Sequence, residues 1–365
     1  MPVIWLIDAY RAGERGQVRA LVDALAAEFG AEVETYALDY RKSVVTPHLF
    51  RLTSLRGVSR QSAARLQAPW PDLVLTCGVR NEPVCRWIRK QSGGRTRYLH
   101  LGRPWARLDS FDLVVTTPQY RVPTRANVVN NTLTLHGVTP ASLQQASERW
   151  GSEFAALPGP KIAVVVGGNS GPFTFGARAA RRLAEQACEL ARSVGGSLLV
   201  STSSRTAATA VQALQDSIDV PCYFYRWRAN DSANPYLGML AQADQLIVTG
   251  DSIAMISEAC ATGKPVQLFD LGGMRENRPA ARDFSLGGFL YGLMQRFLWP
   301  VLSRDITLVH EQLVCSGRVA WLGESTRSAA TEASEDMRRT LHAVGALLGE
   351  PVVSVAVEQS GTAID

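Results

Sequence analysis

Residues 245–269 read QLIVTGDSIAMISEACATGKPVQLF. An apolar run ends at Thr249, Gly250 permits a tight turn, and apolar residues then recur at intervals of three and four through 252–262. Gly263-Lys264-Pro265 breaks that period, and a second apolar run starts at Val266. Strand, turn, helix, turn, strand is a βαβ unit, and its two strands are parallel.

The same alternation fills most of the 365-residue chain. Before the midpoint, residues 3–7, 31–36, 73–76, 97–101, 113–116 and 127–129 read as strands; after it, 162–166, 197–201, 222–225, 245–249 and 266–269 do. Helical periods cover 16–29, 176–194, 206–215 and 252–262, with a last one at 337–348. Leu157-Pro158-Gly159-Pro160 interrupts any regular element within a linker at 152–160. The expected fold class is therefore α/β, with two Rossmann-like domains on parallel sheets. Their bounds are 1–157 and 158–336, followed by a closing helix and loose tail at 337–365. Residues 270–283 read as a Gly, Arg and Pro rich loop, and 324–336 as a polar, acidic stretch.

With 46% hydrophobic residues the chain is neither disordered nor fibrous. Residues 1–157 carry 20 basic and 13 acidic side chains, a net +7; the remainder carries 18 and 20, a net −2, which sums to the +5 of the whole. A basic half asks for an anionic partner. No nucleic-acid motif accompanies it, so no nucleic acid is expected, and an anionic membrane surface is the candidate. The six cysteines form no CxxC pair and read as reduced intracellular thiols. The N-terminus lacks the basic n-region of a signal peptide, so the expected location is cytoplasmic, peripheral on the inner face of the cell membrane. Residues 286–302, LGGFLYGLMQRFLWPVL, reach only the lower limit for crossing a bilayer. They are apolar almost all round, which favours an extra core helix; the other reading is an interfacial helix.

In open parallel sheets ligands bind beyond the carboxyl ends of the strands. After the first strand comes DAYRAGERGQ (8–17), where Gly13 and Gly16 precede a helix. After the strand at 162–166, Gly167-Gly168-Asn169-Ser170 offers unhindered N–H groups and hydroxyl donors suited to a phosphate or sugar. Thr202 and Ser203 follow the next strand. The N–H groups of Ser252, Ile253 and Ala254 open a helix and suit a pyrophosphate. Glu258, about 1.7 turns further on, is placed for ribose hydroxyls. Asp251 would repel a phosphate, so it is assigned to capping the helix or holding a sugar hydroxyl. None of the five histidines shows an HxxxH or HExxH spacing, so no protein metal site is expected. His100, at a strand end, reads either as a general base or as a packed histidine.

Together these segments, with HLGRPWARLDSFDLVVTTPQY (100–120), NVVNNTLTLHGVTPASLQQA (127–146), KIAVVVGGNSGPF (161–173), GGSLLVSTSSRT (195–206) and residues 234–266, resemble the ELM-type mitochondrial fission family. That family resembles GT-B glycosyltransferases, which implies two facing domains with a cleft between them. The resemblance implies a nucleotide-sugar donor at Gly167, Gly168, Asn169, Ser170, Thr202, Ser203, Asp251, Ser252, Ile253 and Glu258. It places the acceptor or transferred sugar near Asp8, Arg11, Gly13 and Gln17.

The expected function is metal-independent transfer of a sugar from a nucleotide-diphosphate donor to a lipid-linked or cell-envelope acceptor. Asp8 or His100 acts as base, and no cofactor is required because the nucleotide sugar is the substrate. Two alternatives stay open: a non-enzymatic peripheral membrane or division-associated protein, held at an anionic membrane by the basic half and residues 286–302, and a nucleotide-sugar epimerase.

Overall fold

The computed structural model describes residues 1–41, 53–275, 283–297, 303–325 and 333–350. Parts of the segments read as a Gly-rich loop (276–282), an apolar run (298–302), an acidic stretch (326–332) and a tail (351–365) lie outside the described residues.

The first sheet holds β1 (Val3–Ile7), β2 (Glu32–Tyr36), β3 (Leu73–Cys77), β4 (Arg97–Leu101), β5 (Leu113–Thr116) and β6 (Val128–Asn130), in the order β2-β1-β3-β4-β5-β6. β3 is buried at every position, as continuous Leu-Val-Leu requires when both faces of a parallel sheet are covered. The helices are α1 (Ala12–Phe29), α2 (Arg60–Ala64) and α3 (Glu82–Gln91).

The second sheet holds β7 (Lys161–Val165), β8 (Ser197–Ser201), β9 (Cys222–Tyr225), β10 (Gln245–Thr249), β11 (Val266–Phe269) and β12 (Ala320–Trp321). Its order is β12-β11-β10-β7-β8-β9, the arrangement of a dinucleotide-binding Rossmann sheet. Its helices are α4 (Pro140–Phe154), α5 (Ala177–Ser193), α6 (Ala208–Asp216), α7 (Tyr236–Gln242), α8 (Ile253–Cys260), α9 (Leu286–Phe297) and α10 (Thr307–Cys315), and α11 (Ala333–Leu348) follows. α5 shows why such helices form and where they pack. Ala179, Ala180, Leu183, Ala184, Ala187, Cys188 and Ala191 make one buried stripe at helical spacing, while Arg178, Arg181 and Glu185 stay exposed.

The chain divides into two compact units. One is residues 1–115 with the segment from Met337; the other is Thr116–Asp336. Residues 140–154 fall in the second unit because α4 packs on α7, where a Cβ added to Gly238 would sit 2.6 Å from Trp150 Cβ. α4 has no counterpart in the helical periods read from the sequence. Its start is fixed by a reciprocal capping box between Thr139 and Ser142, with Pro140 in the first turn.

Two expectations are corrected. Gly13 and Gly16 do not form a turn before α1 but lie within it, with open space around each α-carbon. α9 is not a core helix: of its residues only Gly288 is buried, and its Phe and Leu side chains face out. Among the described residues no helix is long and apolar enough to cross a membrane. All six cysteines are free thiols, and burial pushes those of Cys77 and Cys85 well up, keeping them protonated and unreactive.

Candidate functional site

Strand order reverses between β7 and β10, which pair in register from Gln245↔Ile162 to Val248↔Val165. At such a switch point the loops leaving the two strands diverge and a crevice opens at their carboxyl ends. Here the loops are Gly167–Ser170 and Gly250–Ser252, tied together by a short relay. The Thr249 hydroxyl accepts the Gly167 N–H at 2.7 Å and donates to Asp251 Oδ1 at 2.7 Å. Asp251 Oδ2 accepts the Gly168 N–H at 2.9 Å and pairs with Arg205 at 2.8 Å.

The glycines are dictated by this closeness. A Cβ on Gly167 would lie 2.3 Å from Asp251 Oδ2, and one on Gly168 would lie 2.1 Å from the Arg205 carbonyl oxygen. The hydroxyls read as donors for a ligand serve the loop instead. Ser203 donates to the Gly167 carbonyl at 3.0 Å, and Thr206 donates to the same oxygen. Thr202 Oγ1 accepts the Trp227 N–H at 3.0 Å. Asn169 Oδ1 accepts the Phe175 N–H at 2.9 Å, and Ser170 is buried against Arg304. The loop is therefore pre-built, and what it leaves for a ligand is the start of α8. There Ser252 occupies the N-cap without a side-chain cap bond, and the first-turn N–H groups have no intrahelical acceptor. Asp251 does not cap α8, because both of its oxygens are engaged with Thr249, Gly168 and Arg205.

Behind the turn, buried His310 of α10 meets the Gly250 carbonyl at 2.7 Å through Nε2. A carbonyl only accepts, so Nε2 carries the proton. Glu258 Oε2 accepts from the Tyr236 hydroxyl of α7 at 2.6 Å, and burial raises the carboxyl above its ordinary range. The sequence shows Arg205 as the one Arg beside the hydroxyls of residues 201–206, and gives no role to Tyr236, Thr249 or His310 in this site. Tyr236 and Thr249 stood inside recognised segments, whereas His310 lies 60 residues from its partner and carries no local signal.

In the first unit order reverses between β1 and β3. Asp8 leaves β1 paired with Arg15 at 3.2 Å and Arg19 at 3.5 Å, while its Oδ1 is buried with no hydrogen-bond partner. Asn81, after β3, donates to the Asp8 carbonyl at 2.8 Å and steadies the turn. Arg11 is exposed beside Glu14, and Gln17 donates to the Gly13 carbonyl at 3.2 Å within α1. His100 is fully buried in β4, with Nδ1 3.0 Å from the Tyr98 hydroxyl and its ring beside Phe111. Of its two readings the structure shows the packed one. Among the described residues, no group of three His, Cys, Asp or Glu is placed to hold a metal ion.

Burial lowers both His100 and His310 to about 4. Unfolded, they titrate near 6.5, so between pH 6.5 and 4 the unfolded chain binds protons that the folded chain refuses. Stability then falls as pH drops through that window, by up to about 3 kcal/mol per histidine. Urea unfolding at pH 7 and pH 4.5 measures the loss, and His100→Leu is expected to remove roughly half of it.

A model of the family described as Mitochondrial fission ELM1 matches residues 12–286. The chain is 29% identical over 234 residues to the mitochondrial fission protein ELM1 of Arabidopsis thaliana, covering 58% of this chain and 54% of that protein. It thus spans about half the length of this plant relative. It is 23% identical over 340 residues to the uncharacterized protein RP120 of Rickettsia prowazekii, covering 84% and 92% of the two chains. Among solved structures it is similar to S. aureus MnaA with UDP (TM-score 0.49, 14% identity, 96% of this chain and 99% of that one). It is also similar to Acinetobacter baumannii MurG (TM-score 0.45, 14% identity, 95% and 94%).

Proposed function

The chain belongs to the mitochondrial fission ELM1 family, and we propose that this member is a metal-independent glycosyltransferase using a nucleotide-diphosphate sugar. One observation carries the reading. At the β7/β10 switch point a pre-built glycine loop is clipped to the turn that opens α8, leaving helix-start N–H groups beside glycine backbone. That is the chemistry of a diphosphate site, because aligned N–H dipoles favour anionic oxygens without a cation.

The second unit would hold the donor, with the diphosphate at Ser252 and Ile253 and the ribose at Glu258. The first unit would receive a lipid-linked or cell-envelope acceptor near Asp8, Arg11 and Gln17. His100 is fully buried, whereas the Asp8 side chain keeps 11% exposure and one oxygen without a hydrogen-bond partner, so Asp8 is the base of this proposal. In the step, Asp8 takes the proton of an acceptor hydroxyl, the acceptor oxygen bonds to the sugar's anomeric carbon, and the bond from that carbon to the diphosphate oxygen breaks. The N–H groups of α8 stabilise the departing charge.

Calorimetric titration with UDP, GDP, CMP and dTDP sugars tests the donor site. One of them is expected to bind, and Glu258→Ala to weaken it at least about tenfold. If none binds, and Glu258→Ala and Asp251→Ala change nothing, the reading fails. Turnover of a donor sugar without any acceptor would identify an epimerase instead.

Glu258→Gln separates function from stability. A carboxyl raised by burial contributes stability below its unfolded range, and that contribution is lost as pH rises through the folded value. At pH 8 the glutamine variant, which still accepts from Tyr236, is therefore expected to melt at or above the wild-type temperature. Its donor affinity is expected to fall roughly tenfold, the loss of one charge-assisted hydrogen bond.

A further inference from the structure

α9 packs through Gly288 and Gly292, with Tyr291 beside them. A Cβ on buried Gly288 would lie 3.2 Å from the Pro172 carbonyl oxygen, and one on Gly292 would lie 3.7 Å from Pro172 Cβ. Ser285 and Thr174 share a hydrogen bond of 2.8 Å, and the Tyr291 hydroxyl accepts the Arg304 N–H at 3.0 Å. The Phe and Leu side chains point the other way. Phe284 is 78% exposed, Leu286 65%, Phe289 56%, Leu290 56%, Leu293 42% and Phe297 72%. Positions 286, 289, 290, 293 and 297 make one stripe at helical spacing, so the helix is turned inside out relative to what water alone would select.

The charges along this segment are of one sign. Between Asp283 and Asp305 the sequence contains no acidic residue, and its only charges are Arg296 and Arg304. Both bounding acids are engaged elsewhere: Asp283 accepts the N–H groups of Gly176, Arg178 and Ala179, and Asp305 pairs with Arg121 at 2.6 Å. Exposed Arg178 therefore stands at the helix start that Asp283 caps. A protein groove accepts an apolar stripe whatever the sign of the charges around it. An anionic lipid surface rejects carboxylates, attracts arginine and takes up Phe and Leu. At 12 residues, about 18 Å, α9 is too short to span a bilayer and long enough to lie in its interface.

We infer that α9 inserts its Phe/Leu stripe into the interfacial layer of an anionic lipid bilayer, with Arg296 among the headgroups. The inference needs no sugar transfer and is tested without any nucleotide sugar. Full-length protein is floated with neutral phosphatidylcholine vesicles and with vesicles containing one quarter phosphatidylglycerol. Wild type is expected to bind the anionic vesicles at least about tenfold more tightly than the neutral ones. Phe289→Glu/Leu290→Glu is expected to lose at least about tenfold of that affinity with an unchanged melting temperature, and Arg296→Gln about fivefold. Absence of wild-type binding, or undiminished binding by the double variant, overturns the inference. So does a wild-type dimer that the double variant breaks while vesicles stay unbound, which would assign the stripe to a second copy of the chain.

Discussion

Gly168→Ala is expected to destabilise the second unit by about 3 kcal/mol or more and to abolish donor binding. The added methyl would sit 2.1 Å from the Arg205 carbonyl oxygen and 2.4 Å from its carbon. These are backbone atoms, so no rotamer relieves the clash, and the chain must shift by about 1 Å on one side. Either shift breaks something specific. Moving residue 168 pulls its N–H from Asp251, and moving residue 205 pulls Arg205 from the same carboxylate and disturbs Ser203 and Thr206, which hold the Gly167 carbonyl. Gly16→Ala is the matched control. That glycine lies inside α1 with nothing within 4 Å, so alanine is expected to stabilise by about 0.5–1 kcal/mol through helix propensity. Urea unfolding of the two variants should move in opposite directions, although both glycines stand in segments that follow a strand and precede a helix in the sequence.

That contrast marks what a sequence displays and what it conceals. The strands were legible because parallel strands covered on both faces are continuous apolar runs, and β1, β5, β8, β10 and β11 fall where those runs predict. The placement of both candidate sites followed from the same runs, since it depends only on where strands end. Elements that bury little were illegible. α4 buries only Ala146 and Phe154, so its apolar period is faint, and its capping signal stood unread at Thr139 to Ser142. α9 is concealed for the opposite reason: composition shows that a helix is apolar but not that Gly288 and Gly292 face inward while the Phe and Leu side chains face out. The site's internal bonds were hidden by distance along the chain. Asp251 meets a residue 83 positions away, and Glu258 meets one 22 positions away, so Asp251 looked like a cap and Glu258 like a free ligand group.

Asp251→Ala carries the other large effect, and it separates a positioning role from direct contact with a donor. The carboxylate is completely buried, and it joins β10, the glycine loop and the segment after β8 through Thr249, Gly168 and Arg205. Alanine leaves the Gly168 N–H without an acceptor in a buried place and deletes charge-assisted bonds worth about 1.5–3 kcal/mol each, so a loss of roughly 3–5 kcal/mol is expected in urea unfolding. Asp251→Asn should recover little of it, because three donors converge on the group and an amide brings a donor of its own. Arg205→Met is the discriminating partner. Arg205 is 37% exposed, so its ion pair is partly screened and the expected loss is smaller, about 1–2 kcal/mol. If Asp251 positions the loop, the two substitutions are strongly non-additive and donor affinity falls in step with loop stability across the series. If Asp251 instead holds a sugar hydroxyl directly, Asp251→Asn loses donor affinity out of proportion to its stability, and Arg205→Met leaves that affinity nearly untouched. The bonds already made by both Asp251 oxygens favour the first outcome, in which the electrostatics of the site come from helix-start N–H groups and the buried acid sets where they stand.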